Sequence, residues 1–303
     1  MYDLIIIGSG PAGMTAGIFS TRREMKTLII GKEVGGQLIW ADEIENYPGV
    51  GLIHSLEFVN NIKKQVISFG AELKNGEVEK IVKQVDGSFA VFMGSDKFEA
   101  KTLIIATGLS PRRLDVSGEM ELSGKGVSYC ANCDGPFYRN KIVAVVGGGN
   151  SALDAAEVLS KIASQVYLVH RGENFRAFES LIKEVKERPN IEIMLNSSVK
   201  EIGGQGKVNR IIVNNKITGA DREIALEGVF IEIGRIAKTD LVAEFVDRNE
   251  VEQIIVNDQM ATKTPGLFVA GDVTSGEFKQ IPIAMGQATI AALGAYKYLQ
   301  LNK

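Results

Sequence analysis

The sequence predicts an α/β protein that contains two parallel-sheet domains. Two observations support this fold class: a glycine cluster stands between an apolar run and a helical segment near residue 8, and a second cluster in the same setting stands near residue 147. Both settings are typical of a strand that turns into a helix. The chain has 303 residues and is longer than one typical domain, so two domains are the first expectation.

The first cluster follows a β-branched apolar run at residues 4–7, which is typical of a buried parallel strand. It has the pattern G-x-G-x-x-G and opens a segment of helix-forming residues. In such a turn the first glycine permits a tight bend, the second lets a pyrophosphate approach the backbone, and the third lets helix and strand pack closely. A second strand is predicted at residues 27–30, although no acidic residue ends it. The expected dinucleotide contacts here are Gly8, Gly10, Pro11, Ala12 and Gly13.

The same pattern recurs in the middle of the chain. An apolar run at residues 141–146 enters a G-x-G-x-x-A cluster, a helix is predicted at residues 152–162, and another strand at residues 166–169. Either cluster alone is also compatible with a tight turn that binds nothing, but two in full βαβ context indicate two dinucleotides, typically a flavin and a nicotinamide. The expected contacts in this cluster are Gly147, Gly149, Asn150, Ser151 and Ala152.

Two further apolar runs define the domain organisation. One covers residues 102–108, and the other covers residues 267–273 and precedes a helix that is predicted to begin near Pro282. The second contains Asp272, which could accept hydrogen bonds from a ribityl chain or cap that helix. We expect one domain at residues 1–112 and 240–303, interrupted by residues 113–239. The predicted fold is therefore two Rossmann-like dinucleotide-binding domains, each of three layers (ββα), with the second inserted into the first.

The only two cysteines, Cys130 and Cys133, stand together and are followed by Asp134. In an intracellular α/β chain a C-x-x-C pair indicates redox chemistry, because the arrangement lowers the pKa of one thiol and makes thiol exchange fast. The alternatives are half of a zinc site and two incidental core cysteines. Zinc normally needs four ligands, and the histidines, His54 and His170, are remote from the pair in sequence. Asp134 is the candidate acid or base, or else a turn residue before the Gly-Pro that follows.

Composition excludes several classes of protein. The apolar share of 45%, the charged share of 23% and the net charge of −3 are ordinary for a globular protein. No basic block suggests a nucleic acid or an anionic membrane as partner, and no apolar run is long enough to span a bilayer. The first residues lack the features of a signal peptide, so the expected compartment is the cytoplasm. Two cysteines are too few for a structural disulfide framework, so a disulfide between them would be redox-active rather than structural.

Together these features resemble the low-molecular-weight thioredoxin reductases over essentially the whole chain. The stretches that carry the resemblance are residues 8–13, 35–38, 45–49, 106–108, 130–135, 147–152, 271–273 and 279–281. The resemblance implies an FAD domain in two segments, an inserted pyridine-nucleotide domain with the dithiol, and a homodimer. It adds these FAD contacts: Gly36, Gln37, Leu38, Asn46, Ala106, Thr107, Gly108, Gly271, Asp272, Lys279, Gln280 and Ile281.

The resemblance also implies an order of electron transfer. NADPH or NADH would reduce FAD, the reduced flavin would open the Cys130–Cys133 disulfide, and thioredoxin or a thioredoxin-like protein would be the acceptor. By the same resemblance Cys133 is the thiol next to the isoalloxazine, Cys130 attacks the disulfide of the partner, and the two domains rotate against each other. Asp134 would manage the proton.

The nucleotide pocket departs from the family pattern. The resemblance assigns His170, Arg171 and Arg176 to NAD(P)H, but Gly172 stands where the family has a second arginine. A lost charge-assisted contact of ~1.5–3 kcal/mol would lower the preference for NADPH roughly ten- to hundredfold. Asp154 is followed by alanines, so one of two adjacent acids is also missing. The donor could be NADPH, NADH or reduced ferredoxin, and the second glycine cluster could also persist as a structural turn.

Other proteins of related chemistry remain as alternatives. A flavin reductase of a peroxidase system uses a similar C-x-x-C, but such a reductase usually carries an extra N-terminal thioredoxin-like domain. This chain begins at the flavin motif. A reductase of this kind without the extra domain would need a separate glutaredoxin-like partner. A ferredoxin–NADP reductase of the same architecture lacks the redox cysteines. A non-enzymatic flavin redox sensor would leave the Cys-x-x-Cys-Asp cluster without a role.

Overall fold

The computed structural model describes residues 1–41 and 43–302, and of Trp40 only the backbone. The helices are α1 Pro11–Thr21, α2 Ser55–Ser68, α3 Ala131–Asp134, α4 Asn150–Ser160, α5 Glu179–Glu187 and α6 Ile281–Leu301. Shorter 3₁₀ helices lie at Gly36–Trp40, Gly135–Tyr138 and Asp240–Val242. In the described ranges, no helix is both long and apolar enough to cross a bilayer.

The strands follow in chain order. They are β1 Tyr2–Ile7, β2 Thr27–Gly31, β3 Glu43–Ile44, β4 Ile53–His54, β5 Glu72–Asn75, β6 Lys80–Lys83, β7 Phe89–Met93, β8 Asp96–Ile105, β9 Ser110–Pro111, β10 Val127–Ser128, β11 Ile142–Val146, β12 Gln165–Val169, β13 Ile191–Met194, β14 Ser197–Gly204, β15 Val208–Asn215, β16 Asp221–Ala225, β17 Gly228–Ile231, β18 Arg235–Ile236 and β19 Leu267–Val269.

The chain divides into two compact units. The first contains Met1–Ile39, Tyr47–Ser110 and Ile236–Lys303, and the second contains Trp40–Asn46 and Pro111–Arg235. The long crossings between the units fall in β9 and β18, which pair with each other. The second unit is thus almost continuous in sequence, whereas the first is assembled from segments before and after it.

The first unit is built on a seven-stranded sheet with the order β5-β2-β1-β8-β7-β6, in which β19 also pairs with β8. Strands β5, β2, β1, β8 and β19 are parallel, while β6 and β7 form an antiparallel extension. Alternate residues of the parallel strands face opposite sides of a sheet. One side packs against apolar residues of β6 and β7, as Ile5 and Ile105 do in one core cluster with Phe89 and Val91. Helices α1 and α6 pack against each other and against β8.

The second unit has a five-stranded parallel sheet with the order β10-β17-β11-β12-β13 and a separate antiparallel sheet, β14-β15-β16. One core cluster joins Ala144 and Val229 of the parallel sheet to Ile211 of the antiparallel one. Another joins Val145, from the same strand as Ala144, to residues of α4 and α5. The parallel sheet therefore lies between an antiparallel sheet and helices, which is the ββα layering expected from the sequence.

Several element boundaries differ from the sequence prediction, and two of these differences have a clear physical reason. Strand β8 begins at Asp96, before the apolar run, because its polar first half pairs antiparallel with β7 while its apolar second half pairs with β1 and β19. Helix α4 begins at Asn150, directly after the last glycine of the second cluster. The glycine cluster therefore supplies the first residues outside the helix, where side chains are not needed for packing.

Candidate functional site

Cys130 and Cys133 form a disulfide in the second unit, with an Sγ–Sγ distance of 2.16 Å and a Cα–Cα distance of 5.3 Å. The bond closes one helical turn, because the amides of Cys133 and Asp134 both donate to the carbonyl of Cys130 at 3.3 and 3.1 Å. Both cysteines are only partly buried. The pair is thus held in a defined turn and remains accessible, as a redox-active disulfide must be for another disulfide to reach it.

A buried hydroxyl ties the carboxylate of Asp134 to the backbone of the disulfide. Ser128 is 5% exposed; its Oγ donates to Oδ2 of Asp134 at 2.6 Å and accepts from the amide of Cys130 at 3.1 Å. Asp134 ends α3, and the Gly-Pro that follows continues as a 3₁₀ helix rather than a turn. Proline is tolerated there because the first turn of a helix does not use its missing N–H. Sequence reasoning missed Ser128, for which a hydroxyl two residues before the cysteine was the sole signal.

A buried glutamate fixes the segment that precedes the cysteines. Glu119 is 1% exposed and accepts hydrogen bonds from the amides of Leu114 and Asp115 and from the hydroxyl of Tyr129, at 3.1, 2.8 and 2.9 Å. Burial, and then the hydrogen bond to Glu119, raise the pKa of Tyr129 above its ordinary value. The guanidinium of Arg235 donates to the carbonyl of Tyr129 at 3.0 Å. The residue next to Cys130 is therefore anchored at both its side chain and its backbone.

The second glycine turn joins β11 to α4 as the sequence predicts. Gly147 has a φ of +154°, and a Cβ there would lie 2.3 Å from the carbonyl oxygen of Glu232, so only glycine fits. Gly149 is the N-cap of α4 and has no side-chain cap. A Cβ at Gly149 would meet no atom closer than the carbonyl oxygen of Arg176 at 3.8 Å. This open backbone at a helix N-terminus fits a pyrophosphate. Of the neighbouring predicted contacts, Ser151 is exposed and Ala152 is buried.

The loop that carries the predicted nucleotide contacts folds around the imidazole of His170. The ring lies against Gly148, where a Cβ would be 2.1 Å from Nδ1, and Nε2–H donates to the carbonyl of Asn174 at 3.0 Å. A Cβ at Gly172 would lie 2.8 Å from Nε2. A longer side chain at Gly172 would therefore require the imidazole to move.

The same loop crosses the glycine turn, and the side chains of two of its arginines are exposed to solvent. The amide of Arg176 donates to the carbonyl of Gly148 at 2.7 Å, and Oδ1 of Asn150 accepts from the amide of Phe178 at 2.9 Å. The side chains of Arg171 and Arg176 are exposed. Within the part of the chain that the structure describes, neither is in an ion pair. Both arginines are available to a phosphate.

In the first glycine turn, two glycines serve packing and one faces an open gap. A Cβ at Gly8 would lie 2.1 Å from the carbonyl oxygen of Ala106, and a Cβ at Gly13 would lie 1.8 Å from that of Gly8. A Cβ at Gly10 would find only the Cα of Gly36, at 3.9 Å. Gly10 is also the N-cap of α1 and has no side-chain cap. The gap at Gly10 and Gly36 fits the pyrophosphate of a dinucleotide such as FAD.

The other residues predicted to bind FAD lie on segments of the first unit that meet near this turn, with one exception. The amide side chain of Gln37 donates to the carbonyl of Leu109 at 2.5 Å, and a Cβ at Gly271 would be 3.0 Å from that of Ala12. Lys279 Nζ donates to the carbonyl of Thr274 at 2.6 Å. Also in the first unit are Leu38, Thr107, Gly108, Asp272, Gln280 and Ile281. The exception is Asn46, which belongs to the short segment Trp40–Asn46 of the second unit.

Sequence reasoning missed one residue of this region. Gln287, on α6, accepts from the amide of Gly271 through Oε1 at 2.9 Å. It fixes the end of β19 beside α1, and no motif marks it.

Both histidines form hydrogen bonds with nearby backbone groups. Nδ1 of His54 accepts from the amide of Leu56 at 3.2 Å and caps α2. Over residues 1–41 and 43–302, no group of three or more histidine, cysteine or acidic side chains is placed to hold a metal ion.

Comparison with known proteins agrees with this architecture. Residues 2–288 match the family described as pyridine nucleotide-disulphide oxidoreductase. The chain is 37% identical to the thioredoxin reductase of Treponema pallidum, with 98% of this chain and 97% of that protein covered. It is 38% identical to the thioredoxin reductase of Bacillus subtilis, with coverages of 99% and 94%. The solved structure of thioredoxin reductase from Streptococcus pyogenes superposes with a TM-score of 0.94 at 39% identity and 99% coverage of both chains. The resemblance to thioredoxin reductases is thus confirmed, and the chain belongs to the pyridine nucleotide-disulphide oxidoreductase family.

Proposed function

We propose that the protein is a thioredoxin-disulfide reductase, in which electrons pass from NADPH or NADH through FAD to the Cys130–Cys133 disulfide and then to thioredoxin or a thioredoxin-like protein. The disulfide carries this proposal. It is closed across a single helical turn, partly exposed, and tied through Ser128 to the carboxylate of Asp134. The relatives named thioredoxin reductase support the same activity.

The first unit is the proposed FAD domain. FAD and a nicotinamide nucleotide are the cofactors of this family. FAD supplies two-electron transfer between a nicotinamide and a disulfide. Gly10, Gly36 and the N-terminus of α1 would hold its pyrophosphate, because that backbone is open and lacks a side-chain cap. Gly8 and Gly13 keep helix and strands close enough to form the turn. The remaining predicted FAD contacts belong to this same proposal.

Cys130, Cys133 and Asp134 are the proposed catalytic residues. Two electrons and two protons convert the disulfide to two thiols. The thiolate of Cys130 would then attack the disulfide of the partner and form a mixed disulfide, which the thiol of Cys133 resolves as it closes the bond again. The hydroxyl of Ser128 donates to Oδ2 of Asp134 and orients this carboxyl group next to the cysteine pair, where Asp134 is the proposed group that exchanges a proton with the thiols.

The second unit is the proposed nicotinamide-nucleotide domain, with the turn at Gly147 and Gly149 as the pyrophosphate site. Arg171 and Arg176 are exposed and free of ion pairs among the described residues, which favours NADPH, since its 2′-phosphate is bound by cations. Gly172 supplies no third cation, so we expect NADPH to be preferred over NADH by less than a three-arginine pocket would allow. The proposal extends to a homodimer, as the resemblance implies, and to the cytoplasm, as the sequence predicts.

The test is anaerobic stopped-flow reduction of the bound flavin by NADPH and by NADH, followed by addition of oxidised thioredoxin. We expect rapid bleaching of the flavin by NADPH, slower bleaching by NADH, and thiol formation on thioredoxin. The matched control is Cys130→Ser, in which the flavin should still be reduced while thioredoxin is not. Reduction of thioredoxin by this variant would contradict the assigned role of Cys130. If neither nucleotide bleaches a flavin that dithionite still reduces, the nicotinamide donor is wrong, and reduced ferredoxin is the donor to test.

A further inference from the structure

Glu232 contacts both the disulfide turn and the second glycine turn, and neither of the proposed roles above uses it. It follows β17 directly and lies at the carboxyl end of the parallel sheet. Its Oε1 accepts from the amide of Ala131, the residue after Cys130, at 3.3 Å. Its own amide donates to the carbonyl of Val146 at 2.8 Å, and its carbonyl oxygen blocks any side chain at Gly147. One residue therefore joins the cysteine pair to the strand end that precedes the glycine turn.

The surroundings of this carboxyl group move its titration towards neutral pH. Glu232 is mostly buried, and burial raises the pKa of its carboxyl to about 7. The hydrogen bond from Ala131 and the charge of Arg235 lower the pKa, whereas Asp154, on α4, raises it. The guanidinium of Arg235 also donates to the carbonyl of Tyr129. Asp134, another acid near the cysteines, accepts a hydrogen bond from Ser128.

Reduction of the disulfide can place a negative charge on the turn whose Ala131 amide donates to this carboxyl group. Two electrons break the S–S bond, one proton gives a thiol and a thiolate, and a second proton gives two thiols. A thiolate of the pair and an ionised Glu232 repel each other across the Ala131 amide, because like charges in a partly desolvated site disfavour each other. The two groups therefore compete for one proton when both are close to their titration range.

We propose that Glu232 is a positioning residue for the dithiol: through the amide of Ala131 it holds the turn that contains both cysteines, and its charge opposes formation of the thiolate. When Glu232 is protonated the thiolate forms more readily, and when Glu232 is ionised the dithiol stays protonated. This inference rests on the redox role of the pair proposed above. It makes thiol reactivity depend on a residue 101 positions away in sequence from Ala131.

The test is the rate at which iodoacetamide alkylates each cysteine in the flavin-loaded, dithiothreitol-reduced protein, measured by peptide mass spectrometry over a pH series. Glu232→Gln keeps an oxygen that can accept from Ala131 but removes the charge. We expect it to alkylate like wild type well below pH 7, and up to roughly tenfold faster from pH 7 until the pH reaches the pKa of the thiols, as for a thiol pKa lower by about one. Glu232→Asp keeps the carboxylate and should restore the slower, wild-type profile.

Glu227→Gln is the matched control. Glu227 precedes β17 and also accepts a backbone amide, that of Ile142 at 2.9 Å, but it lies at the opposite end of that strand and is exposed. An unchanged profile in Glu232→Gln, or the same shift in Glu227→Gln, would overturn the inference. So would a rate ratio that does not vary with pH, because a purely structural effect would change reactivity equally at all pH values. Failure of wild-type protein to yield thiols on reduction would instead overturn the proposed redox function.

Discussion

Replacing Glu232 by glutamine should stabilise the folded protein at high pH and leave its stability unchanged at low pH. The pKa of this carboxyl rises from 4.5 to about 7 on folding. Below pH 4.5 both folded and unfolded chains hold the proton, and there is no penalty. Between pH 4.5 and pH 7 the unfolded chain releases the proton while the folded chain keeps it, so the free energy of unfolding falls as the pH rises. Above pH 7 the folded protein bears the full penalty of a buried charge.

The size of the effect follows from the same two values. Each tenfold change in proton affinity corresponds to about 1.4 kcal/mol, so the penalty above pH 7 is at most about 3 kcal/mol. Glutamine has nearly the same shape, can accept from the amide of Ala131, and does not ionise. We therefore expect the gain in free energy of unfolding to rise from near zero around pH 4.5 towards this limit above pH 7.

Urea denaturation of the oxidised, flavin-loaded protein, followed by far-UV circular dichroism at several pH values, measures this gain. Flavin content must match between variants, because a ligand that binds only the folded state adds to its apparent stability. Glu227→Gln, at an exposed site, should show no comparable pH dependence. A stability difference that stays constant across pH, or a variant that is less stable above pH 7, would refute the reasoning.

Three further substitutions test the anchoring of the disulfide and the first glycine turn. Glu119→Ala removes the acceptor of three hydrogen bonds and should lower the free energy of unfolding by about 3 kcal/mol. The control Glu121→Ala, at an exposed position, should leave the midpoint of urea denaturation unchanged. If Glu119→Ala has the same midpoint as wild type, solvent replaces the hydrogen bonds of Glu119. Gly13→Ala should lower the thermal stability, since its Cβ would lie 1.8 Å from a carbonyl oxygen. Gly10→Ala should fold normally but purify with less FAD, because its Cβ would point into the open gap. Full retention of FAD by the folded Gly10→Ala protein would contradict the assigned pyrophosphate site.

The parallel strands and both glycine turns could be predicted from the sequence because their signals are local. A β-branched run, two or three glycines at fixed spacing and a following helical segment lie within a few residues of one another around Gly8 and Gly147. Steric contacts in the structure explain those glycines directly, since Gly8 lies against Ala106 and Gly147 against Glu232. The cysteine pair was equally visible, because both sulfurs come from one helical turn.

The residues that support the cysteine pair could not be predicted in the same way. Glu119 and Glu232 are ordinary acidic residues in the sequence, and their roles arise only when the fold brings them to Tyr129 and to the amide of Ala131. Ser128 is close in sequence, but a serine hydroxyl can donate to any nearby acceptor, and no local pattern selects Asp134. Such polar contacts depend on the partner that tertiary structure supplies, which a single sequence does not specify.

The interrupted first unit also determines the order in which the chain can fold during synthesis. Strand β19 pairs with β8, and α6 packs on α1, although both follow the whole second unit in sequence. Residues 111–235 therefore leave the ribosome while the first unit still lacks a strand and the helix whose buried alanines cover α1. Because domains tend to fold as units once their residues are available, the second unit can close its core first. The glycine turn before α1, where Ala12 lies close to Gly271, therefore gains its last contacts late in synthesis, and an FAD bound at this turn would be taken up after them.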